Sequence, residues 1–199
     1  MSSSVTETYF SAQFHGGRSL WSGRRILFRR LRKLTLGHAM LLEWLESPFI
    51  TSSDRGPGPA DCALVIMACS RSVERAERLC RSRFVRWRLR AFMPIRFQFT
   101  ATVLGIINYM EAYSATPSCW GGTGGRESGT PFLQSVKITH MAFLHRTEAE
   151  ALELPLPLAV HDYAAYWDIE GKVKIVNDAE RAAMELARQI SQEPKLQRN

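Results

Sequence analysis

Apolar residues recur at helical spacing over most of the chain. The first periodic segment follows Thr35, whose side chain can cap a helix N-terminus. It stops at Ser47-Pro48, because the residue before a proline avoids the helical region. A second segment begins at Asp61, another good capping residue, and continues to about Phe92. We therefore predict a short helix and then a long helix in the first half of the chain.

The second half of the chain continues this pattern. Pro94 separates the long helix from an apolar, buried helix over residues 95–113. Further helices are predicted after Thr130-Pro131, after the capping-box match Thr147–Glu150, over residues 158–170 and after Asn177–Glu180. Residues 172–176 alternate between apolar and polar with period two. The pattern predicts an all-α fold, an irregular bundle of about six or seven helices with at most one short strand near 172–176.

Composition divides this helical pattern into four segments. Residues 1–33 form a basic N-terminal leader, and residues 34–115 form a helical region. Residues 116–131 are rich in glycine, and this composition predicts a hinge or loop. Residues 132–199 form a helical C-terminal region, which we expect to make one folded unit with residues 34–115.

The net charge of +7 is concentrated in the first half of the chain. Residues 1–100 hold 17 Lys and Arg against 7 Asp and Glu, whereas residues 101–199 hold 9 against 12. Within the predicted long helix, Glu74 and Glu77 can pair with the arginines four residues later. Five arginines of this helix fall on one broad face and are candidates for binding a partner protein or a polyanion: Arg71, Arg75, Arg78, Arg86 and Arg90. A simple solvated surface is the alternative interpretation of the same face.

Motifs that carry catalysis or bind cofactors are absent from the sequence. The glycines at 121–125 are followed by Arg126-Glu127-Ser128, and not by the Gly-Lys-Ser/Thr that a phosphate-binding loop requires. Neither zinc-ligand spacing nor the Gly-x-Ser-x-Gly elbow of a serine hydrolase occurs. We therefore predict a protein that is not an enzyme, with no catalytic residues, no metal and no cofactor.

The location predicted from the sequence is the cytoplasm. The chain begins without the charged and apolar regions of a secretory signal, although its Ser- and Arg-rich residues 2–33 also resemble a mitochondrial transit peptide. The longest apolar run, residues 97–110, is shorter than the roughly 20 residues that a membrane span needs. Three of the four cysteines lie in apolar helical pattern and predict buried free thiols in a reducing compartment.

Two stretches of the chain carry a resemblance to a known class of proteins. Residues 34–49 read LTLGHAMLLEWLESPF, and residues 147–158 read TEAEALELPLPL and are followed at 162–167 by DYAAYW. These stretches, within 34–49 and 147–167, resemble helical tail-assembly proteins of phages and prophages. In those proteins an acid-capped turn ends in a Leu/Met-Pro-Leu step before an apolar helix.

The resemblance implies a chaperone-like factor that holds a long helical tail protein in the host cytoplasm until the tail polymerises. Such a factor needs an apolar groove with a charged rim. Candidates to line it are Met40, Trp44, Phe143, Tyr163, Tyr166 and Trp167, which equally suit an ordinary core. Two other functions stay open: a nucleic-acid-binding protein that uses the Arg-rich helices, and a structural virion component at a head–tail junction. The oligomeric state is not predicted.

Overall fold

A computed structural model of the chain describes residues 25–27, 29–51, 55–82, 98–113, 117, 119–121, 130–176, 180, 182, 183 and 186. Within these residues the protein has seven helices and four short strands. In chain order the elements are β1 (Arg25–Ile26), β2 (Arg29–Arg30), α1 (Leu36–Trp44), α2 (Pro59–Cys69), α3 (Val73–Cys80), α4 (Phe99–Glu111), β3 (Cys119–Gly121), α5 (Phe132–Ala142), α6 (Glu148–Glu153), α7 (Leu156–Ile169) and β4 (Val173–Ile175). The predicted all-α class is confirmed.

The four strands form two small antiparallel pairs. The sequence pattern predicted one of the four strands. That strand is β4, which pairs with β3 so that Cys119 lies opposite Ile175 and Gly121 lies opposite Val173. The segment 116–131 is therefore not all hinge or loop, because β3 lies within it. β1 pairs with β2. β1, β2 and β3 have two or three residues each and show no alternating pattern, so only their partners in the fold define them, whereas β4 lies inside the alternating run 172–176.

The prediction of one continuous helix from Asp61 to about Phe92 is wrong. α2 begins earlier, at Pro59, and the Asp61 carboxylate accepts a hydrogen bond of 2.7 Å from the backbone N–H of Gly58, the N-cap residue. The helix ends at Cys69, and α3 starts only at Val73 after a turn. The rest of the predicted helix, residues 83–92, lies outside the described residues.

The turn between α2 and α3 is held by a histidine that is distant in sequence. The backbone carbonyl of Arg71 accepts a hydrogen bond of 2.9 Å from Nε2 of the buried His38. Since Nε2 is then the protonated nitrogen, Nδ1 accepts from the hydroxyl of Thr35, 2.9 Å away. Thr35 also caps α1 as predicted, because its Oγ1 accepts from the backbone N–H of His38. This tertiary contact satisfies a carbonyl that a continuous helix would have used internally.

α1 lies between two apolar clusters and belongs to both. Its residues Leu41 and Leu42 pack in the first cluster, and Leu36 and Ala39 pack in the second. The first cluster is built mainly from α2, α4 and the segment 26–34, and the second from α5 and α7. Elements from the two predicted helical regions are therefore packed on opposite sides of a single helix.

The described part of the basic leader is attached to this core. Ile26 and Leu31 are buried in the first cluster. The backbone N–H of Arg32 donates to the carbonyl of Cys69 at 2.7 Å, and the hydroxyl of Tyr109 donates to the carbonyl of Arg32 at 2.9 Å. Residues 25–27 and 29–33 are thus part of the folded domain, because Ile26 and Leu31 are buried in its core and the backbone of Arg32 is hydrogen-bonded to it.

The predicted helix over residues 95–113 is α4 in its described part, and it is only half buried. Thr102, Ile106 and Tyr109 face the core, whereas Leu104 is 55% exposed and Ile107 is 37% exposed. An apolar run that is hydrophobic on every side predicts burial, but α4 has neighbours on one side only among the described elements. Among those elements, no helix is long and apolar enough to cross a membrane.

Candidate functional site

The arginines predicted to share one helix face are separated by the turn between α2 and α3. Arg71 lies in the turn, and its guanidinium donates to the carbonyl of Met67 at 2.8 Å and to Oγ of Ser70 at 3.1 Å. Arg75 and Arg78 are exposed on α3. The other two predicted members of the face, Arg86 and Arg90, lie outside the described residues. The single arginine face is therefore a wrong prediction at Arg71, because that side chain folds back onto the end of α2.

Glutamates of α3 pair with the arginines on the same helix. Arg78 donates to Glu74 at 2.6 Å and Arg81 contacts Glu77 at 2.7 Å, which confirms the predicted pairing at a spacing of four residues. Both pairs are exposed, so each contributes little to stability. The pairs nevertheless change the charge of the α3 surface, because each glutamate neutralises the positive charge of its partner locally.

The six residues predicted to line one apolar groove lie in two places. Four of them form an aromatic cluster at the ends of α5 and α7: Phe143, Tyr163, Tyr166 and Trp167. In this cluster the rings of Phe143 and Tyr166 are stacked with their centroids 4.9 Å apart. Met40 and Trp44 lie on α1 and line a separate cleft, to which the aromatic cluster does not contribute. The six residues therefore do not line a single groove, because only Met40 and Trp44 are among the residues that line this cleft.

The cleft beside α1 has a volume of about 310 Å³. Its walls come from α1, α3, α5 and α6. Ten residues line it: Gly37, Met40, Leu41, Trp44, Val73, Glu77, Arg81, Lys137, Glu148 and Leu152. The uncharged residues supply an apolar interior: Gly37, Met40, Leu41, Trp44, Val73 and Leu152. The charged residues supply a rim: Glu77, Arg81, Lys137 and Glu148. We call this feature the α1 cleft.

Trp44 is the one aromatic residue among the ten that line the α1 cleft. Its side chain is 62% exposed at the C-terminal end of α1. The guanidinium carbon of Arg81 lies 5.9 Å from the centroid of its ring, which is within the range of a cation–π interaction. Arg81 is at the same time paired with Glu77, so the rim holds the tryptophan on one side and leaves the rest of the ring in solvent.

The opposite rim of the α1 cleft is a second ion pair. Nζ of Lys137 donates to a carboxylate oxygen of Glu148 at 3.0 Å. The Lys137 side chain is only 17% exposed, so its aliphatic part is covered by neighbouring groups while its charge reaches the glutamate. The rim therefore carries two positive and two negative charges that are paired within the protein.

Backbone hydrogen bonds between distant segments place the walls of the α1 cleft. The N–H of Leu36 donates to the carbonyl of Leu154, and the N–H of Leu156 donates to the carbonyl of Leu34, each at 2.9 Å. These bonds join the start of α1 to the step between α6 and α7. Gly37 then allows α3 and α6 to approach α1 closely, since any side chain there would meet Val73. A glycine inside a helical pattern was the only signal in the sequence for this approach.

The capping box predicted at Thr147–Glu150 is confirmed, and it orients the acidic start of α6. Oγ1 of Thr147 accepts from the backbone N–H of Glu150, and Oε2 of Glu150 accepts from the backbone N–H of Thr147 at 2.8 Å. The Thr147 hydroxyl also donates to Oε2 of Glu150 at 2.7 Å, and this hydrogen bond, together with the one from the Thr147 backbone N–H, lowers the pKa of Glu150. Glu148, the first residue of α6, pairs with Lys137 across the cleft.

The nucleophilic side chains near the core are chemically inert. Cys62, Cys69 and Cys80 are buried free thiols, as predicted. Burial raises the pKa of Cys62 to about 11 and that of Cys69 to about 12, so both stay protonated at neutral pH. Among the described residues, no group of three or more His, Cys, Asp or Glu side chains is placed to hold a metal ion.

Comparisons of the chain with protein-family models, with curated proteins and with solved structures find no match.

Proposed function

We propose that this protein is a non-enzymatic binding protein, and that the α1 cleft receives apolar side chains from a helix of its partner. The observation that carries the proposal is Trp44, a large aromatic side chain 62% exposed at the edge of an apolar cleft. Tryptophans at the edge of an apolar depression are frequent centres of binding energy in protein interfaces. Covering this ring and the cleft interior removes apolar surface from water, which favours association.

The chemistry of the α1 cleft fits a helix better than it fits a polyanion. Its interior includes Met40, whose flexible thioether side chain adapts to differently shaped apolar groups. Its rim carries charges of both signs, from the pairs Glu77–Arg81 and Lys137–Glu148. An amphipathic helix offers apolar side chains on one face and charges of both signs beside them, which is the helix-in-groove mode of recognition.

We further propose that the partner is a long helical tail protein of a phage or prophage, which this protein holds in the host cytoplasm before the tail polymerises. The support is that both stretches resembling tail-assembly proteins meet at this cleft. Residues 34–49 and 147–167 are joined by the backbone bonds of Leu36 and Leu156, and they supply six of the ten residues that line the cleft. The resemblance and the exposed apolar surface thus concern the same place on the molecule.

The two other functions place the contact elsewhere. Nucleic-acid binding by the Arg-rich helices would use α3, where Glu74 and Glu77 neutralise two of the arginines. A structural role at a head–tail junction would keep the protein in the assembled particle. The geometry favours neither over the α1 cleft, since the described arginines of α3 are largely paired.

The test compares the partners of three forms of the full chain. Tagged wild type, Trp44→Ala and Leu104→Ala are used to capture proteins from nuclease-treated native lysate at about 0.15 M and 0.5 M salt, over which the Debye length shrinks from about 8 to 4 Å. Leu104 is the matched control, because it is an apolar side chain 55% exposed on α4 and does not line the cleft. Circular dichroism checks that both variants fold.

We expect one long tail protein to be retained by wild type and by Leu104→Ala at both salt concentrations, and to be lost with Trp44→Ala. Equal retention by all three forms would place the contact outside the α1 cleft and contradict the proposal. Proteins that are captured from a parallel untreated lysate but not from the nuclease-treated one would favour nucleic-acid binding. Recovery of the protein in purified phage particles would favour the structural role.

A further inference from the structure

The structure separates a second group of arginines from the paired ones on α3. Arg25, Arg29, Arg30 and Arg32 are all exposed, and they lie on and directly after the β1–β2 hairpin. None of the ion pairs formed among the described residues involves these four side chains. We call residues 25–32, as far as they are described, the basic hairpin. Unlike the charges of Arg78 and Arg81, those of the basic hairpin are not paired with an acidic side chain of the described residues.

The pairing of the two strands brings like charges together. Arg25 is the direct partner of Arg30 across the hairpin, so their side chains leave the same face of the strand pair. Like charges in this position repel each other and destabilise the pair. An anion that contacts both guanidinium groups removes this repulsion, and binding therefore gains energy that the free protein lacks.

The basic hairpin is held rigidly by the core. Ile26 and Leu31 anchor it in the first apolar cluster, and the side chain of Ile26 lies against Gly105 of α4. The backbone N–H and carbonyl of Arg32 are both hydrogen-bonded, to Cys69 and Tyr109. The four arginines are thus displayed on a supported backbone, and binding an anion costs less conformational entropy than it would on a free segment.

We propose that the basic hairpin binds the phosphate backbone of nucleic acid without reading its base sequence. Guanidinium groups form paired hydrogen bonds to phosphate oxygens, and neutralising a polyanion releases its condensed counterions. Protein interfaces and amphipathic membrane-binding segments usually present exposed apolar groups beside their charges. The described apolar residues of the hairpin are instead buried, as Ile26 and Leu31 are, or half-buried, as Leu27 is.

The experiment measures binding of the full chain to a short, fluorescein-labelled DNA duplex of random sequence by anisotropy, between about 50 and 200 mM salt. Four phosphate contacts give a slope of log affinity against log salt of up to about −3.6. The variant Arg25→Gln/Arg30→Gln removes the cross-strand pair and is expected to make the slope shallower by about two. Lys172→Gln/Lys174→Gln makes the same change of net charge at exposed positions near β4 and serves as the matched control.

Three further arms decide between nucleic acid and other partners. The variant Arg75→Gln/Arg78→Gln tests α3, anionic lipid vesicles test a membrane surface, and polyglutamate tests an acidic protein. Absence of DNA binding by wild type at the lowest salt overturns the proposal. So does binding by Arg25→Gln/Arg30→Gln that equals wild type, or a loss caused only by the α3 variant. Binding to vesicles or polyglutamate as tight as binding to DNA overturns it as well.

Discussion

Gly37 lies where α1 approaches both α3 and α6, and we predict that Gly37→Ala destabilises the fold. A Cβ atom at this position would lie 2.7 and 2.9 Å from the two γ-methyl groups of Val73 and 3.0 Å from the carbonyl oxygen of Leu152. Carbon atoms in good contact are about 3.5–4.0 Å apart, so the new methyl group overlaps its neighbours. Either α3 and α6 move away from α1 or the overlap remains as strain.

Two opposing effects set the size of this loss. Alanine is favoured over glycine inside a helix by about 0.8–1.0 kcal/mol, which stabilises the variant. An extra methyl group in a packed site costs about 1–3 kcal/mol. The upper part of that range applies here, because Val73 is β-branched and has one preferred rotamer in a helix, and the third contact is backbone. We therefore expect the free energy of unfolding to fall by about 1–2 kcal/mol.

Gly105→Ala is the matched control, because the same substitution in α4 should have the opposite effect. A Cβ atom at Gly105 would lie 3.4 Å from the nearest atom of Ile26, which is an ordinary van der Waals distance. Only the helix preference remains, and the free energy of unfolding should rise by up to about 1 kcal/mol. A second control is Gly37→Ala/Val73→Ala, which removes the overlapping methyl groups and should recover about 1–2 kcal/mol relative to the sum of the single changes.

The measurement is urea unfolding of each variant followed by far-UV circular dichroism at neutral pH. The comparison requires equal m-values, so that a change of midpoint reports a change of stability. Gly37→Ala at least as stable as Gly105→Ala would refute the reasoning. Additive effects of the Gly37 and Val73 substitutions would show that the two side chains do not compete for the same space.

Two further predictions concern stability. Burial lowers the pKa of His38 and of His140 from the ordinary value of 6.5, so the unfolded chain binds their protons first as the pH falls. The free energy of unfolding, measured by urea titration, should therefore be constant between about pH 6.5 and 8 and fall below pH 6.5 by at most about 1.4 kcal/mol per pH unit for each histidine. A flat wild-type profile would contradict the argument. Asp61→Ala removes the acceptor of the Gly58 N–H and should lower the free energy of unfolding by about 1–2 kcal/mol, as loss of a helix cap does; an unchanged urea midpoint would show that the bond contributes nothing.

Features that depend on neighbours in sequence were predicted correctly. Thr35 caps α1, and the Thr147–Glu150 box starts α6. The ion pairs of α3 form at the predicted spacing. Each depends on groups within a few residues of one another, so the local sequence contains both partners of the interaction.

Features that depend on distant partners were not predictable. At the interruption of the long helix, His38 donates a hydrogen bond to the carbonyl of Arg71, 33 residues away. The residues around Arg71 contain no sequence pattern that predicts this contact. The expected groove is divided because the rings of Phe143, Tyr166 and Trp167 pack against one another, whereas Met40 and Trp44 line the α1 cleft. Tertiary packing decides such features, since helical periodicity shows which residues are apolar but not which apolar faces meet.

The sequence by itself determined that this is an all-α protein with a basic first half, capped helices and buried thiols. Only the tertiary structure decided which charges stay unpaired and which apolar residues stay exposed. Arg146 pairs with Asp162, 16 residues further along the chain, and Leu36 of α1 is buried against α5 and α7, whereas Trp44 of the same helix is 62% exposed. The physical reason is that neutralisation and burial are properties of neighbours in space, and the fold brings those neighbours from distant parts of the chain.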